Sequence, residues 1–307
     1  MSAGAGRGGG AVVFGSKGLS MQMQLNGGSG VDTFGFAGLR ADYNITNGAG
    51  GYAVLPKSGA IGGLHLLANV ERFTFSDSTV NVEYDAAVQA LYVAYFGRAA
   101  DYAGMQSFQD QLAKLGAPHD IVGISAAYAT NPGLHKLIDS FSTSAESDKL
   151  YPDGIIDFVS AVYKNVLGRS PDDAGLAFWS EAIDSGALSR ANAAMSIMAG
   201  ALQNSTPQGL LDAQRIGNTL AVASDFTLAI DRPSEIAGYG STLAASMVRT
   251  MLATVTAGSD VEAFHAVIKA MLALMAGDVQ TGSDAPAAHE APLLLVGVAP
   301  AWEHGPA

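Results

Sequence analysis

Two arginine–aspartate pairs with the same spacing are the residues best suited to bind a ligand or to brace a turn. Arg98 and Asp101 lie three residues apart, and Arg169 and Asp172 repeat this spacing 71 residues later. Such a pair can recognise a polar ligand. It can also be structural, with the aspartate capping the next helix and the arginine binding that aspartate or the free carbonyls of the preceding helix. We favour the structural interpretation.

The pairs belong to a longer internal repeat in which seven positions coincide in type. In each copy, a glycine before the arginine ends one helix, and a glycine in the first turn of the next helix leaves space where the two helices cross. An aromatic residue then fills the core beside the turn. These positions are Gly97, Gly104 and Phe108 in the first copy, and Gly168, Gly175 and Trp179 in the second. The sequence therefore predicts a duplicated helix-turn-helix corner.

Other residues that could do chemistry are sparse or scattered. The chain has no cysteine, which excludes a disulfide framework, a zinc–thiolate site and a thiol nucleophile. The six histidines include no pair at helical i, i+4 spacing, and neither hydrolase motif G-x-S-x-G nor H-E-x-x-H occurs. No carboxylate pair has a spacing that indicates acid–base catalysis. We therefore expect a protein that is not an enzyme.

Apolar residues at helical spacing precede each corner. The stripe ends at Phe96 in the first copy and at Leu167 in the second, in both cases directly before the glycine. Further helices are predicted over 119–130, 188–203, 208–231, 235–257 and 259–277. Together these segments predict a duplicated α-helical domain over 83–205, with copies near 84–150 and 155–205, and a helical extension over 206–277.

Short aromatic and β-branched runs cut by Gly and Asn characterise the first part of the chain. Of the 37 glycines, 18 lie within residues 1–63, and Phe73 and Phe75 alternate at the period of a strand. These patterns predict a Gly-rich flexible leader over 1–20 and a small antiparallel β module over 21–82. The residues after the last helix, 278–307, are rich in Ala, Pro and Gly, and they predict a flexible tail.

Charge changes at the same place as composition. The whole chain has a net charge of −12, yet residues 1–82 carry 5 basic and 4 acidic residues, and residues 83–307 carry 11 and 24. An acidic chain repels phosphate, so we expect no nucleic-acid partner. No run approaches about 18 apolar residues, so we expect no membrane span. The predicted fold class is α+β and predominantly α, with a duplicated helical domain preceded by a small antiparallel β module.

The repeated Tyr-x4-Gly-Arg-x2-Asp-x-Ala-Gly-x3-(Phe/Trp) signature resembles the bacterial domain-of-unknown-function-4214 family. That domain accompanies large secreted or surface-associated proteins of proteobacteria and cyanobacteria, and it is distantly similar to the helical phycobilisome linker domain. Gly27–Gly35 fits the nonapeptide of repeats-in-toxin proteins, and the strands after it resemble the module that closes their β-rolls. The resemblance implies type I export, read from an uncleaved C-terminal signal that would lie in 278–307.

The second resemblance also implies a calcium site. In a β-roll, aspartate side chains and glycine-loop carbonyls from successive turns ligate the ion, which would make Asp32, with Gly28 and Gly30, candidate ligands. Only one full nonapeptide is present, so the site would be weak. The alternative is a solvent-exposed turn that binds no ion. Apart from calcium, no cofactor is expected.

These observations lead to one main functional hypothesis and two alternatives. The main hypothesis is a non-enzymatic secreted or cell-surface structural or adhesive protein, S-layer-like or an extracellular scaffold, whose partner is a second copy of itself. The first alternative is a surface module that binds carbohydrate or lipopolysaccharide of the cell envelope. The second alternative is a secreted hydrolase with an unrecognised site.

Overall fold

The computed structural model describes residues 12–14, 23–48, 50–57, 63–152 and 154–281. Within these residues the chain forms eight strands followed by twelve α-helices, and this confirms a predominantly helical α+β fold. The strands are β1 Val12–Phe14, β2 Met23–Asn26, β3 Thr33–Gly35, β4 Tyr43–Gly48, β5 Gly51–Pro56, β6 His65–Ala68, β7 Arg72–Thr74 and β8 Thr79–Asn81.

The strands form two four-stranded sheets, ordered β1-β3-β7-β8 and β2-β6-β5-β4. The sequence predicted an antiparallel β module, and three of the strand pairs are antiparallel, namely β4·β5, β5·β6 and β7·β8. The structure adds the parallel pairs β1·β3, β3·β7 and β2·β6. The chain changes sheet after β1, β2, β3 and β6. Each parallel pair therefore joins two strands with a connection that passes through the other sheet.

Aromatic side chains fill the space between the sheets. Phe34 and Phe73 are fully buried, and the rings of Phe36 and Phe75 stack at 5.1 Å between centroids. Phe73 and Phe75 both point inward, as their period-two spacing predicts. The same hydrophobic cluster includes Leu228, a residue of the helical part, so the two parts share one apolar contact surface.

Three residues separate the end of β8 from the start of the first helix. The first six are α1 Asp85–Phe96, α2 Tyr102–Lys114, α3 Ile121–Tyr128, α4 Pro132–Asp139, α5 Ala145–Leu150 and α6 Ile155–Leu167. The last six are α7 Asp173–Asp184, α8 Arg190–Gln203, α9 Pro207–Ala229, α10 Pro233–Tyr239, α11 Thr242–Ala253 and α12 Phe264–Thr281. Helix α1 lies at the centre of the helical part, since all its residues except Ala86 are buried.

Several predicted boundaries differ from the structure, among them the start of the helix predicted over 259–277, which begins at Phe264. The single helix predicted over 235–257 is two helices, because Ser241 caps a new helix by accepting from the Ala244 N–H at 3.1 Å. Residues 12–14, predicted as flexible leader, form β1 and pair with β3. Helix α12 continues to Thr281, into the predicted tail. The rest of the predicted leader within 1–11 and 15–20, and the tail over 282–307, lie outside the described residues.

Helix α9 joins the β region to the helical part. The backbone N–H of Asn47 at the end of β4 donates to Asp225 Oδ1 at 2.5 Å. Lys57 Nζ lies 2.5 Å from Asp231 Oδ2 just beyond α9. The buried Arg40 guanidinium donates to the carbonyl of Leu228 and, at 2.7 Å, to that of Tyr43. These polar contacts fix the β region against the end of α9.

Candidate functional site

The two corners share the same backbone construction. Gly97 and Gly168 end α1 and α6 with φ of +67° and +69°, a left-handed conformation that glycine adopts without strain. Asp101 and Asp172 are the N-caps of α2 and α7. Their carboxylates accept from the N–H groups of Gly104 and Gly175 at 2.8 and 2.7 Å.

The glycines in the first turn of α2 and α7 make room for a tyrosine hydroxyl. A Cβ at Gly104 would overlap the hydroxyl of Tyr92, and a Cβ at Gly175 would lie 2.7 Å from that of Tyr163. The motif tyrosine and the motif glycine are therefore contact partners. The aromatic position differs in burial, because Phe108 is fully buried whereas Trp179 is partly exposed and donates to the Tyr163 hydroxyl at 3.1 Å.

The two motif arginines have different partners. Arg98 is 1% exposed, and its Nη1 donates to the Ala99 carbonyl at 2.9 Å and lies 3.4 Å from Asp101 Oδ2. Arg169 is largely exposed and binds Asp212 at 2.8 Å instead of its own motif aspartate. Because each arginine is paired within the chain, neither corner presents a free arginine–aspartate pair to a ligand.

Glu146 completes the buried network around Arg98 and was not identified from the sequence. Its Oε2 accepts from Arg98 Nη2 at 2.6 Å, and its Oε1 accepts from Arg98 Nε at 2.8 Å and from Arg249. The Arg98 guanidinium also lies 5.0 Å from the ring centroid of Tyr92. Burial raises the pKa of Asp101, and the charge of Arg98 opposes that shift. This arrangement is a paired and largely buried ion network, which indicates a structural role.

The turn between β2 and β3 holds the candidate calcium residues. Gly28 and Gly30 have φ of +97° and +112°, and Asp32 is 4% exposed. The Glu71 carboxylate accepts from the Asp32 N–H at 2.8 Å, so the Glu71 carboxylate already has a structural partner at this turn. Nowhere among the described residues do three or more histidine or acidic side chains converge as metal ligands. Since calcium takes six to eight oxygens, further ligands would have to be carbonyls or water, and calcium binding stays a prediction.

A second polar cluster lies where β4 and β5 meet α1, α9 and α12. Asp85 is fully buried and accepts from Ser224 Oγ at 2.5 Å and from the Tyr52 hydroxyl at 3.4 Å. Burial raises its pKa to about 6, against the lowering effect of these hydrogen bonds. Next to it, Asp225 binds His265 Nε2 at 2.8 Å, and burial raises the pKa of Asp225 as well. No motif in the sequence indicates this cluster, since its residues are far apart in the chain.

A cleft of about 280 Å³ opens between the β region and helices α2, α9 and α10. The turn and strand over residues 77–81 form one wall, and α2 forms the opposite wall. The two walls are joined at one point, where Gln109 Nε2 donates to the Asn81 carbonyl at 2.9 Å. The side chains that line it include Arg40, Asp77, Ser78, Thr79, Val80, Asn81, Asp85, Tyr102, Met105, Gln106, Gln109, Thr227, Leu228, Ile230, Asp231, Pro233 and Ile236.

Comparison with known proteins adds one finding. Residues 138–201 match the domain of unknown function DUF4214. The chain contains one DUF4214 domain. No curated protein matches, and no solved structure matches.

The DUF4214 domain covers the chain from the end of α4 to α8, so it holds the second corner and the whole of α7. The first corner lies before it, and whether that corner belongs to another such domain stays a prediction, as does the likeness of the β region to repeats-in-toxin proteins. Every cleft residue lies outside the DUF4214 domain. Among the described residues, no helix is both long enough and apolar enough to cross a lipid bilayer.

Proposed function

We propose that the protein is a non-enzymatic secreted or cell-surface structural and adhesive protein, exported by a type I system, that self-associates through α7 of its DUF4214 domain. One observation carries the proposal. None of the residues Asp173–Asp184 is buried, whereas the equivalent helix α2 buries five residues. Those five are Gly104, Met105, Phe108, Gln109 and Leu112.

The difference arises because α2 is covered on a further side, whereas α7 packs against the core through Leu176, Trp179 and Ile183 and leaves its other face uncovered. Phe141 packs against Phe108 with 4.9 Å between ring centroids, and the β region reaches α2 through Gln109. On α7, Phe178 is 63% exposed, and its ring contacts Trp179 edge-on at 5.0 Å. The first copy has Ser107 at the position of Phe178. The exposed aromatic residue at this position therefore belongs to the second copy alone, and we take it as the centre of the proposed contact.

A second copy of the chain is the partner that fits this face. Each chain offers one α7, and two of them can bury their Phe178 side chains against each other about a two-fold axis. Burying a phenylalanine contributes about 1.5–3 kcal/mol. The same helix carries Asp173, Glu181 and Asp184, so two copies repel each other unless salt or a divalent cation such as calcium reduces the repulsion.

The oligomeric state of Phe178→Ser tests the proposal, because serine is the residue that the first copy has. We expect wild-type protein to form higher-mass species in multi-angle light scattering with calcium, and smaller ones with chelator. Phe178→Ser should be monomeric in both conditions. Leu243→Ser is the matched control, since Leu243 on α11 is 62% exposed on another surface. A wild-type protein that stays monomeric throughout, or an equal effect of Leu243→Ser, contradicts self-association through α7.

The location of the protein is tested separately, by fractionating a culture of the source cells. We expect the protein in the medium or released from the cell surface, with the surface fraction decreasing when chelator is added. Protein confined to the cytoplasm would contradict the extracellular role, whatever the oligomeric state of the purified chain.

A further inference from the structure

We infer that the cleft between the β region and α2, α9 and α10 is a binding site for one or two uncharged sugar residues. This inference goes beyond self-association, because the cleft contains no residue of α7 or of the DUF4214 domain. It would give an adhesive protein a means to hold a polysaccharide end or branch.

The two walls present neutral groups that both donate and accept hydrogen bonds. Thr79 lies on the strand side, and Tyr102 and Gln106 lie on α2. Within the described part of the chain, the side chains of these three residues form no hydrogen bond, so their donor and acceptor groups are available to a ligand. Neutral hydroxyl and amide groups on facing walls match the paired donor and acceptor character of sugar hydroxyls.

The floor of the cleft is apolar. Pro233 and Ile236 of α10 lie at its edge, with Ile236 40% exposed, and Met105 and Ile230 are buried beneath. A sugar ring has carbon–hydrogen faces that can cover such a floor while its hydroxyls reach the walls. An apolar base with a few convergent polar groups is the general form of a small-molecule site.

Charges in the cleft disfavour an anionic ligand. Arg40 is the one basic residue among the described residues that line the cleft, and its guanidinium is occupied by the carbonyls of Tyr43 and Leu228. Asp77, Asp85 and Asp231 also line the cleft. A phosphate or carboxylate ligand would lie near these acidic residues and would find no unoccupied cation among the described residues that line the cleft. The uncharged class of sugar is therefore favoured over phosphorylated lipopolysaccharide.

The volume limits the size of the ligand. The cavity of about 280 Å³ lies just below the range of about 300–1,000 Å³ that is typical of pockets for drug-sized molecules. It suits one or two sugar residues at the end of a chain. The cleft is too small for a long stretch of polymer.

Ligand-detected NMR tests the site. Saturation transfer from the full-length protein is measured to methyl glycosides of glucose, galactose, mannose and N-acetylglucosamine, and to maltose, lactose and chitobiose. We expect at least one of these probes to bind. For that probe, Gln106→Ala and Thr79→Val should each raise the dissociation constant by about three- to tenfold, the range for one lost hydrogen bond.

The matched control is Gln111→Ala, because Gln111 lies on the same helix outside the cleft, where it binds Ser107 within α2. This variant should keep wild-type affinity, with circular dichroism confirming that all three variants are folded. Absence of binding by every probe, or equal loss in Gln111→Ala, overturns the inference.

Strand β8 is at the edge of its sheet, so an extended peptide is the competing occupant. Binding of a trivaline peptide without binding of any sugar would also overturn the inference. Failure of the sugar-binding inference is distinguishable from failure of the proposed function. Phe178→Ser should lose self-association and keep sugar binding. Gln106→Ala should lose affinity for the sugar and keep self-association.

Discussion

At the scale of single residues, burial changes the ionisation of Asp85, a carboxyl group enclosed between the β region and the helices. It is held in a dry site between the Ser224 and Tyr52 hydroxyls, beside Asp225. Burial disfavours its charged form more than the two hydrogen bonds favour it, and the pKa rises from 3.8 to about 6. The folded protein therefore binds a proton at Asp85 more tightly than the unfolded chain does.

This proton makes stability depend on pH. The stabilisation is fully present below pH 3.8 and is lost as pH rises through 6, a change of about 3 kcal/mol. We expect Asp85→Asn, which keeps Tyr52 and Asp225 in place, to remove this component. In urea unfolding, the variant should gain stability relative to wild type between pH 4 and 7. The exposed Asp184→Asn serves as control, and a variant-to-wild-type difference that does not change with pH would contradict the assignment.

Tyr92 and Gly104 form a contact that a methyl group would disrupt. The Tyr92 hydroxyl is buried and has no hydrogen-bond partner among the described residues. We expect Gly104→Ala to destabilise the protein by about 1–3 kcal/mol, and less in a Tyr92→Phe background that lacks the hydroxyl. Gly175→Ala should have a smaller effect, because Tyr163 is half-buried and can move. Thermal unfolding measures these effects. If the effects of Gly104→Ala and Tyr92→Phe were additive, the Tyr92 hydroxyl and the position of Gly104 would not interact.

At the scale of elements, helix ends explain why arginines from distant helices matter. Arg249 of α11 donates to the last carbonyl of α1, that of Phe96, at 2.8 Å. Arg215 of α9 donates to the carbonyls of Asn165 and Val166 at the end of α6, at 3.1 and 2.8 Å. The sequence predicted that the motif arginine binds either its aspartate or these carbonyls. The carbonyls are bound by later helices, which interact with the negative end of the helix dipole.

Glu146 of α5 is the point at which three elements are held together. Through Arg98 and Arg249 it links α5 to the first corner and to α11. We expect Glu146→Gln to reduce the free energy of unfolding by about 3–5 kcal/mol, because it leaves the buried Arg98 charge without its main partner. Chemical denaturation measures this change.

Glu181→Gln on α7 is the matched control, since it removes an exposed carboxylate. It should change stability by less than about 0.5 kcal/mol. If both substitutions had the same small effect, the Arg98 network would not hold these helices together.

At the scale of the whole molecule, two hydrophobic clusters meet at α9. One fills the space between the sheets and the other extends through the helices from α1 to α12. Leu228 contributes to the first cluster although it belongs to the helical part. The cleft forms where these two parts diverge, so its walls come from different parts of the chain.

Calcium binding at the turn between β2 and β3 would stabilise the whole molecule. With a dissociation constant of about 1 mM, about 10 mM calcium would contribute about 1.4 kcal/mol. We expect calcium to raise the melting temperature of wild type by a few degrees more than magnesium does. Asp32→Asn should remove this difference, measured by differential scanning calorimetry. An equal rise with both metals, or an unchanged rise in Asp32→Asn, would contradict a calcium role for Asp32.

The sequence by itself predicted most of the local structure. The two glycine C-caps and the two aspartate N-caps depend on neighbouring residues only, so their spacing along the chain was sufficient. Phe73 and Phe75 alternate along a strand, and this local spacing was sufficient to predict that both rings point to the same, buried face. The change in charge and glycine content near residue 82 predicted where strands give way to helices.

The tertiary structure decided which distant groups meet. Glu146 reaches Arg98 across 48 residues, Ser224 reaches Asp85 across 139, and the walls of the cleft come from residues 77–81 and α2. No local periodicity encodes these pairings, because long-range packing sets them. The parallel strand pairs have the same origin, since only the path between the two sheets brings β3 beside β7. Local spacing thus determined the elements, and packing between them determined the buried charges, the cleft and the uncovered face of α7.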